Sequence, residues 1–218
     1  RISSNPAEKV DMPKIHGKTI TRLDINEIAD FLDAVEYGDH LTEHQQAYHA
    51  KTKVRDLAIL TLMLGTGIRV SECVGIDLNN GRVKVTRKGG YESYVYFGDE
   101  VTDALTDYFE ERKHIEPVSG HENALFLSSQ RKRMSVRSVE MLVKKYSEGV
   151  IPMKHITPHK LRSTYGTELY RETGDIYLVA DVLGHSDVNT TRKHYADMDE
   201  DRRRSARNCV QLREKRDN

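Results

Sequence analysis

Cysteine is almost absent from this sequence: Cys73 and Cys209 are the only two in 218 residues. Two thiols so far apart, with no secretory pattern ahead of them, argue against a disulfide framework and for a reducing compartment. Long hydrophobic runs are missing as well. The most apolar stretch, Leu57 to Leu64, is eight residues long and contains Thr61, whereas roughly 20 such residues are needed to cross a bilayer. A cytoplasmic protein with no membrane partner is therefore expected. Metal-binding spacings are also lacking. None of the ten histidines belongs to a His-Glu-x-x-His run and no Cys-x-x-Cys occurs, so neither a metal nor a cofactor is expected. His40, His44 and His49 fall close together in polar sequence and are expected on a solvated helix face.

Net charge is lacking too, with 34 basic against 34 acidic residues, which at first argues against a nucleic-acid partner. The distribution reverses that reading. Residues 51–95 carry eight Lys/Arg against four Asp/Glu, and residues 129–173 carry ten against four. The acidic excess lies in 1–50 and 96–128. A positive face on a neutral chain is an electrostatic footprint suited to a phosphate backbone.

Residues 1–18, with Asn5-Pro6 and Met12-Pro13, have no periodicity and read as a linker or arm. Asp24 and Glu27 form a capping box that opens a first helix, apolar at Ile25, Ile28, Phe31 and Leu32. A second helix runs from the forties to Leu64, buried nearly all round at its end and broken by Gly65 and Gly67. A short helix restarts over Ile68–Val74. Arg82–Thr86 and Tyr94–Phe97 alternate as strands, joined by a turn at Lys88-Gly89-Gly90-Tyr91. Asp99 caps a helix to about His114. Ala124–Leu127 is a short extended piece, and Ser135 caps a helix through Tyr146. Thr157-Pro158 opens a helix that runs to Thr173-Gly174. Asp175 caps another that ends at Gly184. Asp187 opens a helix bearing Tyr195, and a last charged helix covers Asp199 to about Arg213. The expected fold class is mainly α with one small antiparallel β-sheet, that is, α+β.

Several residues could carry chemistry. Arg69 follows two glycines at the end of a buried helix. Its planar guanidinium suits bidentate contact with phosphate oxygens, or a salt bridge to Glu72. His159 and Arg162 share a helix face near a helix start that already favours an anion. His185 stands at a Gly184 corner, where it either reaches into a cleft or caps the preceding carbonyls. Lys88 sits in the hairpin turn, with Arg87 beside it as the alternative cation. Tyr195 lies in the helix that Asp187 opens. A straight helix over the ten residues from His185 spans about 15 Å, so either the segment bends or the tyrosine serves another subunit.

The order Arg69, Lys88 in a hairpin, His159-x-x-Arg162, Gly184-His185 and Tyr195 resembles the signature of the tyrosine recombinase (phage integrase) family, over roughly residues 20–200. The resemblance implies a catalytic domain over 19–198, an interdomain arm over 1–18 and a C-terminal helix or tail over 199–218. It also implies an amino-terminal DNA-clamping domain ahead of the arm, so a catalytic-domain fragment is expected. The chemistry implied is cutting and rejoining of double-stranded DNA through a 3′-phosphotyrosyl link. Tyr195 would be the nucleophile, Arg69 and Arg162 the phosphate clamp, and His185 an added hydrogen-bond donor. Lys88 would protonate the leaving 5′-oxygen, and His159 would assist proton transfer at the tyrosine. No metal or ATP is implied. The implied partners are DNA and other protomers, a tetramer in synapsis, associated with the nucleoid. A type IB topoisomerase, or a non-enzymatic DNA-binding protein on the same fold, are the rival readings.

Overall fold

Helix α2, Glu43–Thr66, is the element on which most of the other helices pack. In the computed structural model the described residues are 22–78, 83–87, 89–90, 92–185, 188 and 191. The expected arm, Lys88, Tyr195, Cys209 and the expected last helix lie outside them. The Thr42 hydroxyl accepts the Gln45 N–H, and Gln45 reaches back to the Thr42 N–H, closing a capping box at the start of α2. Further along, Ala58, Ile59, Leu60 and Leu62 are fully buried. This end of α2 is apolar on every side because other helices surround it.

Around α2 stand α1 (Ile25–Tyr37), α3 (Val70–Gly75), α4 (Asp99–Lys113), α5 (Val136–Val150), α6 (Pro158–Thr173) and α7 (Ile176–Leu183). Strands β1 (Lys84–Thr86) and β2 (Glu92–Tyr94) make an antiparallel hairpin, with Val85 opposite Ser93. The expected fold class, mainly α with one small antiparallel sheet, is the one observed, but the helices gather on α2 and the hairpin packs beside α3 instead of at their centre.

Polar anchors fix the packing. Asp56 of α2 is fully buried and accepts from Arg55, Thr52, Tyr146 and Lys145. The four residues satisfy a charge that would otherwise be costly to bury, and two of them, Lys145 and Tyr146, tie α5 to α2. Arg112 of α4 donates to the Ala124, Ile115 and Glu122 carbonyls. The Tyr108 ring stacks on Phe126 at 5.4 Å. Together they hold the buried Ala124–Leu127 segment, which does not run extended as expected but bends at Leu125 and Phe126 between isolated bridges to Asp77 and Arg133.

Several local expectations are corrected. Gly65 does not break α2; it lies inside the helix, where a Cβ would come within 2.5 Å of Val101 Cγ2 on α4. It is a packing glycine, and Gly67, at φ +62°, is the left-handed C-cap. The second strand spans Glu92–Tyr94 instead of Tyr94–Phe97. Pairing counts outward from the turn, and Lys84 and Glu92 meet in an ion pair across the two strands. Gly98, not Asp99, is the cap of α4. His49 is buried, its Nε2 2.8 Å from the Val35 carbonyl, while His40 and His44 are exposed as expected. His40 lies in the turn before α2, at φ +64°, and not on a helix face, whereas His44 and His49 share α2 but point to different sides, His49 toward α1.

Candidate active site

The site is built at the C-terminal end of α7. A helix leaves its last carbonyls without intrahelical partners and carries a partial negative charge there. Gly184, in the left-handed conformation at φ +61°, ends α7. The His185 N–H returns to the Ala180 carbonyl at 2.9 Å. Three successive carbonyls then meet three arginines from three different elements. Arg87, at the end of β1, donates to Val182 O at 3.0 Å. Arg162 of α6 donates through Nη2 to Leu183 O. Arg69, the N-cap of α3, donates through Nη2 to Gly184 O at 3.0 Å.

Each arginine has a second hold. Arg69 Nη1 lies 2.8 Å from Glu72 Oε1, and the Arg69 N–H donates to Glu72 Oε2 at 2.8 Å. The salt bridge and the phosphate-facing reading are therefore compatible: the Arg69 side chain remains 31% exposed while Glu72 is buried. Arg162 is buried and donates through Nη1 to the Gly67 carbonyl at 2.6 Å, joining the end of α2 to the end of α7. A guanidinium offers five donors in a fixed plane, so its two terminal nitrogens can span two separated carbonyls where the single nitrogen of a lysine cannot.

His185 Nδ1 is 2.6 Å from the Thr191 hydroxyl, which fixes the ring at the corner. A cleft of about 320 Å³ opens beside it, lined by Arg87, Tyr96, Tyr165, Asp181, Gly184 and His185 among others. Burial pushes the Tyr165 phenol above its usual range, and Tyr165 packs against Gly67. Behind Glu72, the Cys73 thiol is buried and pushed up to about 12 by the loss of water, so it is inert. No group of three or more His, Cys, Asp or Glu positioned for a metal ion occurs among the described residues. No helix among them is long and apolar enough to cross a membrane.

Of the six residues singled out in the sequence, the structure therefore gathers Arg69, Arg162 and His185 at one corner. His159 stands exposed on the first turn of α6, one turn before Arg162. Thr157 holds the N-cap position as expected, but its hydroxyl makes no capping bond; Pro158 removes one of the orphan donors instead. Lys88 and Tyr195 lie outside the described residues. Arg87 is the residue that sequence reasoning undervalued. It is buried and anchored on Val182, with Nη1 3.6 Å from Glu72 Oε2, so it is not a mobile cation of the turn. The signal was available: Val83, Val85 and Arg87 alternate onto the buried side of the hairpin.

The fold is that of tyrosine recombinase catalytic domains. Two solved structures superpose with TM-scores of 0.68: the XerA recombinase, 23% identical over 85% of this chain and 65% of its own, and the XerH site-specific recombinase bound to a palindromic difH substrate, 21% identical over 87% and 53%. In sequence, residues 21–202 match the profile of the phage integrase family, and the chain belongs to that family. Among curated relatives, the tyrosine recombinase XerC of Actinobacillus pleuropneumoniae serotype 7 is 34% identical, over 88% of this chain and 60% of its own length. The tyrosine recombinase XerS of Streptococcus agalactiae serotype III is 38% identical, over 76% and 49%. The chain thus spans about half to three-fifths of the length of these relatives.

Proposed function

We propose that this chain is the catalytic domain of a site-specific DNA recombinase, cutting and rejoining double-stranded DNA without metal or ATP. The observation that carries the proposal is the convergence of Arg69, Arg162 and His185 on the carbonyls and backbone of a single helix end. Rigidly held guanidiniums suit a trigonal-bipyramidal phosphorus, whose equatorial oxygens gain charge as the nucleophile adds. Preorganised donors then need no rearrangement at the moment of reaction.

In this reading the Tyr195 oxygen attacks the scissile phosphorus while the bond to the 5′-oxygen breaks. The phenolic proton passes toward His159, and Lys88 supplies a proton to the departing 5′-hydroxyl. The 3′-phosphotyrosyl bond conserves the phosphodiester energy, so the 5′-hydroxyl of a second strand can reverse the attack and seal a new junction. The catalytic domain would cover 19–198, flanked by an arm over 1–18 and a tail over 199–218. It would work with other protomers, four in synapsis, on nucleoid DNA in the cytoplasm.

The test is a pool of nicked duplexes of randomised sequence, in which cleavage releases a short strand and traps protein on DNA. A covalent adduct that survives denaturing electrophoresis and disappears in Tyr195→Phe is expected. An adduct that persists in that variant refutes the nucleophile assignment, and no adduct with any duplex refutes the enzyme. Relaxation of supercoiled plasmid without strand exchange between duplexes would assign a topoisomerase instead.

A further inference from the structure

We propose that Arg87 is a positioning residue for Arg69, acting through Glu72; this rests on the phosphate-binding reading of Arg69 above. Glu72 lies between two guanidiniums. Its Oε1 faces Arg69 Nη1 at 2.8 Å, and its Oε2 accepts the Arg69 N–H at 2.8 Å and lies 3.6 Å from Arg87 Nη1. The Glu72 and Arg87 side chains are only 3% and 7% exposed. Arg87 Nη1 is buried and has no hydrogen-bond partner among the described residues. A buried donor left unmade is costly and calls for an explanation.

The explanation lies in what happens when Arg69 engages a phosphate. The anion competes with Glu72 for the same guanidinium, and a buried carboxylate that loses its partner is strongly disfavoured. Arg87 offers the replacement. Its Nη2 is pinned to Val182 O at 3.0 Å, which leaves Nη1 within ion-pair range of Glu72 as a reserve donor. Glu72 then keeps a cation whichever way Arg69 leans, and its hold on the Arg69 backbone N–H is preserved. The fork of one arginine thus ties the root of the hairpin to both the carboxylate and the helix end that locate Arg69. Gly184 makes room for this: a Cβ there would stand 3.0 Å from Arg87 Nη1.

The experiment is single-turnover cleavage at saturating duplex, using an adduct-forming duplex selected as above. Arg87→Met is expected to slow cleavage by about 10- to 100-fold, the scale on which a small misplacement of a catalytic group acts, with half-saturation by DNA unchanged. Arg87→Lys, which keeps the charge beside Glu72, is expected to recover most of the rate. In an Arg69→Lys background, Arg87→Met should add little further loss, because its effect passes through Arg69. An equal loss in both backgrounds, a loss that Lys does not recover, or no loss at all overturns the inference. If Arg87→Met lacks a cooperative unfolding transition, Glu72→Gln carries the same test. A neutral Gln needs no counter-cation, so Arg87→Lys should cost nothing more in that background, and a further loss there overturns the inference. Absence of any adduct from the unaltered protein would remove the functional reading itself, whereas an adduct with an indifferent Arg87 removes only this role.

Discussion

Arg162 shows how one side chain can be both structural and chemical. Its two terminal nitrogens hold the carbonyls of Gly67 and Leu183, on either side of the corner, and it is 4% exposed. Truncation leaves two buried acceptors unmade and a void where the guanidinium stood. Arg162→Ala is therefore expected to lower stability by about 2–6 kcal/mol, given about 1–3 kcal/mol for each of the two buried polar groups deprived of its partner. Adduct formation should be lost along with it. Arg162→Lys keeps the charge but cannot span both carbonyls, so it too should fail to cleave. Urea unfolding of the three proteins checks the stability term, and an Arg162→Ala midpoint equal to that of the unaltered protein would contradict the anchoring role. Sequence reasoning reached the His159-x-x-Arg162 pair from its spacing after Thr157-Pro158. It could not reach the carbonyl partners, because Gly67 is 95 residues away and nothing local marks it.

At the scale of elements, the ends of helices were the most legible feature. The capping box of Asp24 and Glu27, Ser135 at the start of α5 and Asp175 at the start of α7 are local hydrogen-bonding devices that adjacent residues encode by themselves. Glycines were legible only in part, because one residue type serves two purposes. Gly67 takes a positive φ, and a Cβ there would come within 2.5 Å of Tyr165 and 2.8 Å of Leu183. Gly65 has ordinary helical geometry and only the close approach of Val101 to justify it. Gly67→Ala is thus expected to cost about 1–3 kcal/mol in backbone strain before any steric clash is counted, and to displace the carbonyl that Arg162 holds. The measurable consequence is a lowered thermal midpoint together with slower adduct formation, and unchanged values of both would show that the corner tolerates the strain. The β2 boundary was misplaced because the alternation in Tyr94–Phe97 is genuine, yet pairing ends where the hairpin ladder runs out, one backbone bond beyond Tyr94 at Val95.

At the scale of the whole molecule, what sequence order conceals is distance in the chain. Gly184 lies 115 residues from Arg69, and Val182 lies 95 from Arg87. The corner was foreseeable only as a family pattern, whereas Arg87, which the sequence offered only as an alternative to Lys88, acquired its partners from the fold. The buried acids of this fold, though scattered, bear on one property, its response to alkali. Burial pushes Cys73 up to about 12 from 9.0, and it also raises the phenols of Tyr108, Tyr146 and Tyr165. All four prefer to keep their protons when folded, whereas in the unfolded chain they ionise at their ordinary values. Above those values the unfolded state holds fewer protons than the native one, so stability is fully present below about pH 9 and falls as pH rises. Cys73 alone should remove about 1.4 kcal/mol per pH unit between its two values. Lys145, lowered chiefly by burial, acts in the opposite sense and offsets part of the decline. Urea midpoints measured from about pH 8 to about pH 11 should therefore slope downward, and Cys73→Ala should flatten the slope. A midpoint that holds level across that range in the unaltered protein would mean that these groups reach water in the native state, and that the core around α2 and α5 is more open than its packing implies.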